Sequence, residues 1–533
     1  MGKGDCNETA SGARPMGSPE RRPVYRAKPM ALNRLSNDAA APLGSPRSRL
    51  HQGCAGAVLA VATAFLPVPA AHAQGFSGTP TVNGGAAAAT VNADNSLITV
   101  NQQEVLIDWQ ILGSGNGTYE FLPAGATATF RSNPRITSPG YTVLNRLQAY
   151  DTSLDANTTV PIGFYGTVAS TLNGSTGGNV WFYAPGGIVI GSTATFDVGG
   201  LVLTTNPIDT TGGLYGSSGE IRFRGAAGSS SAIQIASNAR INALVDGSSY
   251  VAMVAPRIEQ GGTVTVNGST AYVAAEQADI KINNGLFDIA ITAGSSDPNG
   301  IVHTGTTTGP ASNDSSAAPD PQRIYIVAVP KNNAMTMLLS GTMGYTAAAS
   351  AVQDNSAVVL SAGYDVANGV VASDPNATAG QTADISISRA YFPSTVTSHA
   401  TGNLSLSGTG GTLFDKQASF QADKTINMSA GLGSSITSLS DLTLKAGRDE
   451  QGGAINVSVF GAGPLAVAAP GFINIAGTLM LDASATGDPA SSAGLGAIGL
   501  DAAAGTINVL AAGGGLSANR LRSEEHTSEL QSH

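Results

Sequence analysis

The chain has 533 residues, a net charge of −10 at neutral pH, 12% charged and 5% aromatic residues. Its 42% hydrophobic content is too high for an unstructured chain, and so few charges among so much Gly, Ala, Ser, Thr, Asn and Val do not suit a helical protein. The acidic balance, with Lys and Arg scattered, argues against a nucleic-acid partner.

The first element is a leader. Arg47 and Arg49 precede the uncharged run Ala55–Leu66, and Ala71-His72-Ala73 follows it. A basic region, a short apolar core and a small-x-small site predict a secretory signal peptide within residues 1–73, cleaved between Ala73 and Gln74. A membrane anchor needs roughly twenty apolar residues, and this run is too short. Cys54 precedes the apolar run, the wrong end for a lipidation site, and Met30 offers an alternative start. Both cysteines, Cys6 and Cys54, lie in the leader. The mature chain is therefore expected to hold together without disulfides. Removing residues 1–73, with nine basic and four acidic side chains, takes the net charge to −15.

From about residue 80, apolar residues alternate with polar ones in short runs: SLITV, IRFR, TVTV, DIKI, IYIVAV, DISIS, LSLSG, INVSV. Each run stops at Gly, Asn, Ser or Pro, which supply turn conformations, and no helical stripe is sustained. In 179–205 the runs VWFYA, GIVIGS, TATFDV and GLVLTT predict about one circuit of strands separated by tight corners. YVAMVA at Tyr250 returns as YVAAEQ at Tyr272, an offset of 22. LTLKAG at Leu442 returns as LMLDAS at Leu479, and Ile-Asn-Val/Ile recurs at Ile455, Ile473 and Ile507. Irregular repeats of two or three strands predict an all-β fold, a parallel β-helix (solenoid), over a β-sandwich. The segment 304–323, rich in Gly, Pro, Ser and Asp, reads as a loop or linker, and Gly369–Thr382 as a smaller loop. Arg522–His533 departs abruptly from the pattern and resembles translated adapter sequence. It is expected to be an artefact, with the natural chain continuing past Leu521.

Over about residues 90–270 the sequence resembles the secretion domain of filamentous haemagglutinin-type exoproteins, which are exported by two-partner secretion. Val100–Leu112 looks like that family's early Asp-Trp motif, through Asp108 and Trp109. Thr142–Leu147 is similar to its Asn-Arg motif, through Asn145 and Arg146. Thr167–Thr205 resembles its longest signature, and Ile241–Gly268 the repeat that follows. The family's Asn-Pro-Asn-Gly corner stands here as Ala184-Pro185-Gly186-Gly187. Gly186 or Gly187 is expected to need positive φ, and asparagine at 184 to be tolerated.

The resemblance implies a right-handed parallel β-helix with an N-terminal cap holding Trp109, and divides the chain accordingly. Residues 74–210 would be the secretion (haemagglutination-activity) domain, 211–303 its β-helix continuation and 324–521 further β-helix repeats. It also implies a secreted or cell-surface exoprotein whose partner is an outer-membrane transporter barrel reached through the periplasm. The role that follows from it is that of a rod-like adhesin, touching receptors or glycans on host or neighbouring cells. Two other readings stay open: the passenger of a self-transporting protein, and a β-helix enzyme acting on polysaccharide.

No catalytic, metal or cofactor site is expected. Outside the leader and the tail only His303 and His399 remain, nearly a hundred residues apart, too far for a sequence-local cluster. Asp279 with Asp288, or Asp482 with Asp488, are candidate carboxylate pairs of the kind that cut glycans. Gly113–Gly117 lacks the Lys and helix of a nucleotide-binding loop.

Overall fold

The computed structural model describes residues 75–136, 140–247, 249–283, 285–310, 321–346, 355–448, 451–459, 472–483, 497–501, 506–509 and 516–518. The leader with Ala73 and Gln74, the tail 522–533 and Asp488 lie outside the described residues.

Period-two alternation puts one set of side chains inward, and the short runs leave only three to ten residues before the next corner. The chain resolves this by winding through three parallel strand stacks in succession. The first face runs from Glu104–Gly113 through Thr142–Asp151, Asn179–Tyr183, Gly200–Thr204 and Ser249–Ala255 to Leu516–Ala518. The second begins at Tyr119–Leu122 and continues through Ile162–Phe164 and Ile188–Ile190. The third begins at Leu97–Val100 and continues through Thr127–Ser132, Thr167–Leu172 and Thr195–Asp197. This is a parallel β-helix. One circuit returns Asn179 onto Gly200 and Tyr183 onto Thr204, as the 179–205 stretch predicts. Inward Val, Ile, Leu, Ala and Phe form one continuous core along these turns. Each fully buried Val, Ile, Leu or Phe among them contributes about 1.5–3 kcal/mol by its removal from water, and each Ala less.

At the N-terminal end two antiparallel strands close the stacks. Thr79–Val82 pairs with the first strand of the first face, Pro80 opposite Trp109. Ala89–Val91 pairs with the first strand of the third. Phe76 fills the end, stacked on Phe121 at 4.3 Å and edge-on to Trp109 at 5.4 Å. Covering these edges leaves fewer backbone groups open to other strands.

Several sequence expectations need correction. IRFR and DIKI are not solenoid strands. Glu220–Arg224 and the second half of Gly268–Asn283 join Leu286–Gly294 and Tyr364–Ala367 in an antiparallel layer. That layer packs over the outside of the first face, burying Leu144, Trp181, Val202, Val254, Val273 and Tyr325 against Phe223, Ile280, Phe287 and Ile289. The signal for it is a lost alternation: Ser249–Ala255 is buried at every position, which a strand covered on both sides requires. The 22-residue offset is not the stacking register either. Tyr250 lies beside Ser269, and Tyr272 beside Met253. By contrast Leu442 does stack on Leu479, and Ile473 is aligned with Ile507, whereas Ile455 belongs to the second face. Within 304–323, Thr306–Thr308 and the start of Gln322–Ala328 are strands in the stacks, so a linker there is confined to fewer residues; 311–320 lie outside the described residues. In Gly369–Thr382, Val370–Pro375 forms a hairpin with Tyr364–Ala367 in place of a loop.

Candidate functional site

The stacking register brings together motifs that are far apart in the chain. Asp108 lies directly beside Arg146, and Arg146 beside Tyr183, on three successive turns of the first face. Alternation sends these three outward. Arg146 donates from Nε and Nη2 to the two Asp108 carboxylate oxygens at 2.5 and 2.8 Å, a bidentate pair. Both side chains are about 40% exposed (40% and 39%). Asp108, through that hydrogen bond, raises the Arg146 guanidinium further above its ordinary range. Burial also pushes the Tyr183 phenol up, opposed by Arg146.

The same register sends the neighbouring residues inward. Trp109 is fully buried, and its indole Nε1 donates to Asn145 Oδ1 at 3.0 Å. Asn145, fully buried as well, donates from Nδ2 to the Trp181 carbonyl at 3.2 Å. One amide thus accepts from the first turn and donates to the third. A buried indole N–H needs such a partner, and an apolar interior supplies no other. The early motif and the Asn-Arg motif are therefore a single unit, with an ionic half outside and a hydrogen-bonded half inside. Sequence reading placed Trp109 and Asn145 separately because their contact spans 36 positions. Tyr183 went unnoticed, though it lies within the VWFYA run.

The corner Ala184–Gly187 follows this unit on the same circuit. Gly187 N–H donates to the Ala184 carbonyl at 3.2 Å, closing a tight turn, and Gly187 has φ +122°. A Cβ on Gly186 would meet the Val160 carbonyl oxygen at 2.3 Å, so the corner of the preceding turn approaches its bare backbone. The Pro185 carbonyl accepts from Ser231 Oγ at 2.6 Å. Ala184 itself is fully buried in the core. Asparagine at 184 would put an amide among apolar side chains, which argues against the expected tolerance at this position.

The chemistry candidates are placed as follows. Asp288 lies opposite Lys281 and Asp279 opposite Ala290 in the outer layer, so the register does not set the two carboxylates face to face. Asp279 is ion-paired with Arg224 at 2.6 Å, and Asp288 accepts from the Asn368 N–H. His303 is fully buried in the solenoid, its Nδ1 2.8 Å from the Ser340 carbonyl and its Nε2 2.9 Å from Thr307 Oγ1. Burial lowers its pKa to about 4. His399 stacks on Tyr364 at 3.9 Å and lies 2.9 Å from Asp423. Among the described residues no group of three His, Cys, Asp or Glu is placed to hold a metal ion.

The sequence matches no protein-family profile and no curated protein. Among solved structures, the chain is similar to the HMW1 secretion domain from Haemophilus influenzae, at 14% identity and a TM-score of 0.38, over 83% of this chain and 98% of that one. It is also similar to the filamentous hemagglutinin secretion domain, at 13% identity and a TM-score of 0.27, over 82% of this chain and all of that one (100%).

Proposed function

We propose that this chain is an exoprotein of two-partner secretion, and that residues 74–210 are the part an outer-membrane transporter reads. The observation that carries the reading is the stacked unit of Asp108, Trp109, Asn145 and Arg146. The residues on which the sequence resemblance rests are brought into mutual contact at the capped end of a β-helix. A merely structural role explains Trp109 and Asn145, which are buried. It does not explain the exposed Asp108–Arg146 pair, because exposed ion pairs contribute only about 0–1 kcal/mol. That outward half is the part a transporter could touch.

In this reading the chain crosses the inner membrane by the signal peptide in 1–73, and the transporter engages it in the periplasm. It then leaves for the medium or the cell surface. Its role there is adhesion, through many weak contacts along a repetitive surface. The absence of cysteine after Cys54 suits a chain that threads a pore unfolded and winds up turn by turn on the far side.

The test is deletion of Val100–Thr205 in the native host with its transporter. The expected result is loss of release into the medium with periplasmic entry intact. Normal amounts of the deleted chain in the medium overturn the reading.

A further inference from the structure

Gln260, Tyr272, His303 and Thr307 have no part in the unit above, and all four are fully buried. The register places them on successive turns. Gln260, which ends Arg257–Gln260 on the second face, lies beside His303 of the next turn. Thr307 stands on the third face of that next turn. Polar groups are costly in an apolar core unless they satisfy one another, and three of these do so in a directed order. His303 Nδ1 is 2.8 Å from the Ser340 carbonyl, which can only accept, so Nδ1 carries the proton and Nε2 a lone pair. Thr307 therefore donates its hydroxyl proton to Nε2 at 2.9 Å, and Tyr272 donates to Thr307 Oγ1 at 2.7 Å. A hydroxyl on a base, with the base oriented by a third group, is the arrangement of an activated nucleophile. Burial lowers the His303 pKa to about 4, so at neutral pH its lone pair is free to take a proton.

The group in front of that hydroxyl is an amide. Gln260 Nε2 lies 3.5 Å from Thr307 Oγ1 and donates to the Thr306 and Gly262 carbonyls at 3.0 and 3.2 Å. Two carbonyl acceptors fix that end as nitrogen. The other end, Oε1, is buried with no hydrogen-bond partner. A Cβ on Gly305 would come within 2.4 Å of it, so the bare glycine leaves it room. An amide kept only for its hydrogen bonds does not account for that open oxygen. Attack needs Oγ1 within about 3–3.5 Å of the amide carbon. That carbon is bonded directly to Nε2, and the terminal torsion that turns it is soft.

We propose that Thr307 and Gln260 join in an intramolecular ester that staples two turns of the solenoid. Thr307 Oγ1 attacks Gln260 Cδ while its proton passes to His303 Nε2. The Cδ–Nε2 bond then breaks, and the proton leaves on that nitrogen as ammonia. One Cδ–Oγ1 bond replaces one Cδ–Nε2 bond, His303 ends neutral, and no oxidant or reductant is consumed. The reaction has to occur only once per molecule. Its partners are 47 positions apart and meet only in the wound chain, so the staple forms after folding and does not hinder a chain threaded unfolded. It supplies a covalent tie to a chain with no cysteine after Cys54. The inference is independent of the export reading, because its test involves no transporter.

The experiment is a tryptic map of the purified, folded full chain by mass spectrometry. Trypsin separates 258–281 from 282–323, since no Lys or Arg interrupts either. The expected result is one joined species, lighter than the sum of the two peptides by one ammonia. Mild base should part it and leave a carboxylate where the Gln260 amide stood. Thr307→Val should give two separate peptides. In chain refolded from inclusion bodies, His303→Gln should join them about 100-fold more slowly than the parent. Separate peptides with the Gln260 amide intact in the folded parent overturn the proposal, as do joined peptides in Thr307→Val or an unchanged rate in His303→Gln. The parent map decides the matter even where a variant does not fold.

Discussion

Replacing Asn145 by Leu keeps nearly the same volume inside the solenoid but strands the Trp109 indole N–H and removes the side-chain bond to the Trp181 carbonyl. The expected cost is about 1–3 kcal/mol, seen as a lower melting temperature. Asp108→Ala and Arg146→Ala remove the exposed pair, and Asp108→Ala also the Asn83 Nδ2 bond to that carboxylate at 3.2 Å. Each should change stability by less than about 1 kcal/mol, while secretion falls if the outward half is what the transporter reads. Normal secretion by both, with unchanged melting, would remove the recognition role from this pair. At the corner, Gly186→Val drives a side chain into the Val160 carbonyl, and Gly187→Val places a β-branched residue at φ +122°. Both are expected to lose about 1–3 kcal/mol and to gain protease sensitivity near residues 159–187. Ala184→Asn, buried without an evident partner, should also destabilise. Limited proteolysis of the three variants beside the parent checks this, and resistance equal to the parent's would refute it.

Elements couple across turns through a few buried polar groups. His303 lies between the Ser340 carbonyl and Thr307, and Thr307 in turn meets the Tyr272 hydroxyl at 2.7 Å. The folded pKa of His303 is about 4, below its ordinary 6.5. The unfolded chain therefore binds a proton more readily, and stability is lost as pH falls from about 6.5 toward 4. The loss attributable to this one group is at most about 3 kcal/mol at the acid end of that window. His303→Gln should flatten the pH dependence of the melting temperature between those values; an equal slope in parent and variant would exclude His303 as its source. The outer layer rests on a different kind of contact. Phe287 is fully buried against Tyr325, rings stacked at 5.6 Å. Phe287→Ala is expected to cost about 3–5 kcal/mol, with faster hydrogen exchange in Leu286–Gly294 than in the solenoid strands beneath.

A solenoid contacts only its neighbouring turns, so removing one whole turn should leave two good surfaces that can meet. Residues 396–417 make such a unit, because Val396 stacks on Ala418 and Leu404 on Ile426. Their deletion loses the His399–Asp423 pair but keeps inward residues over inward residues. The shortened chain is expected to fold cooperatively, with the same strand signature in circular dichroism. Loss of strand signal would indicate long-range packing that the stacked registers do not contain.

Composition and alternation alone determined that this chain is nearly all strand and corner, and that 179–205 completes one circuit. The reason is local: period two selects strands, and Gly, Asn and Pro select where they stop. Sequence also located the Asp108-Trp109 and Asn145-Arg146 motifs, through resemblance and not through spacing. It did not reveal that they touch. Registers between turns depend on how many residues each corner and hairpin takes up, so Tyr250 meets Ser269 in place of its look-alike Tyr272. It also could not separate a solenoid strand from an outer-layer strand, since IRFR and TVTV carry the same pattern. Which runs lie inside the winding and which cover it is decided by apolar surface left on the outside of the first face, a property that exists only once the turns are stacked.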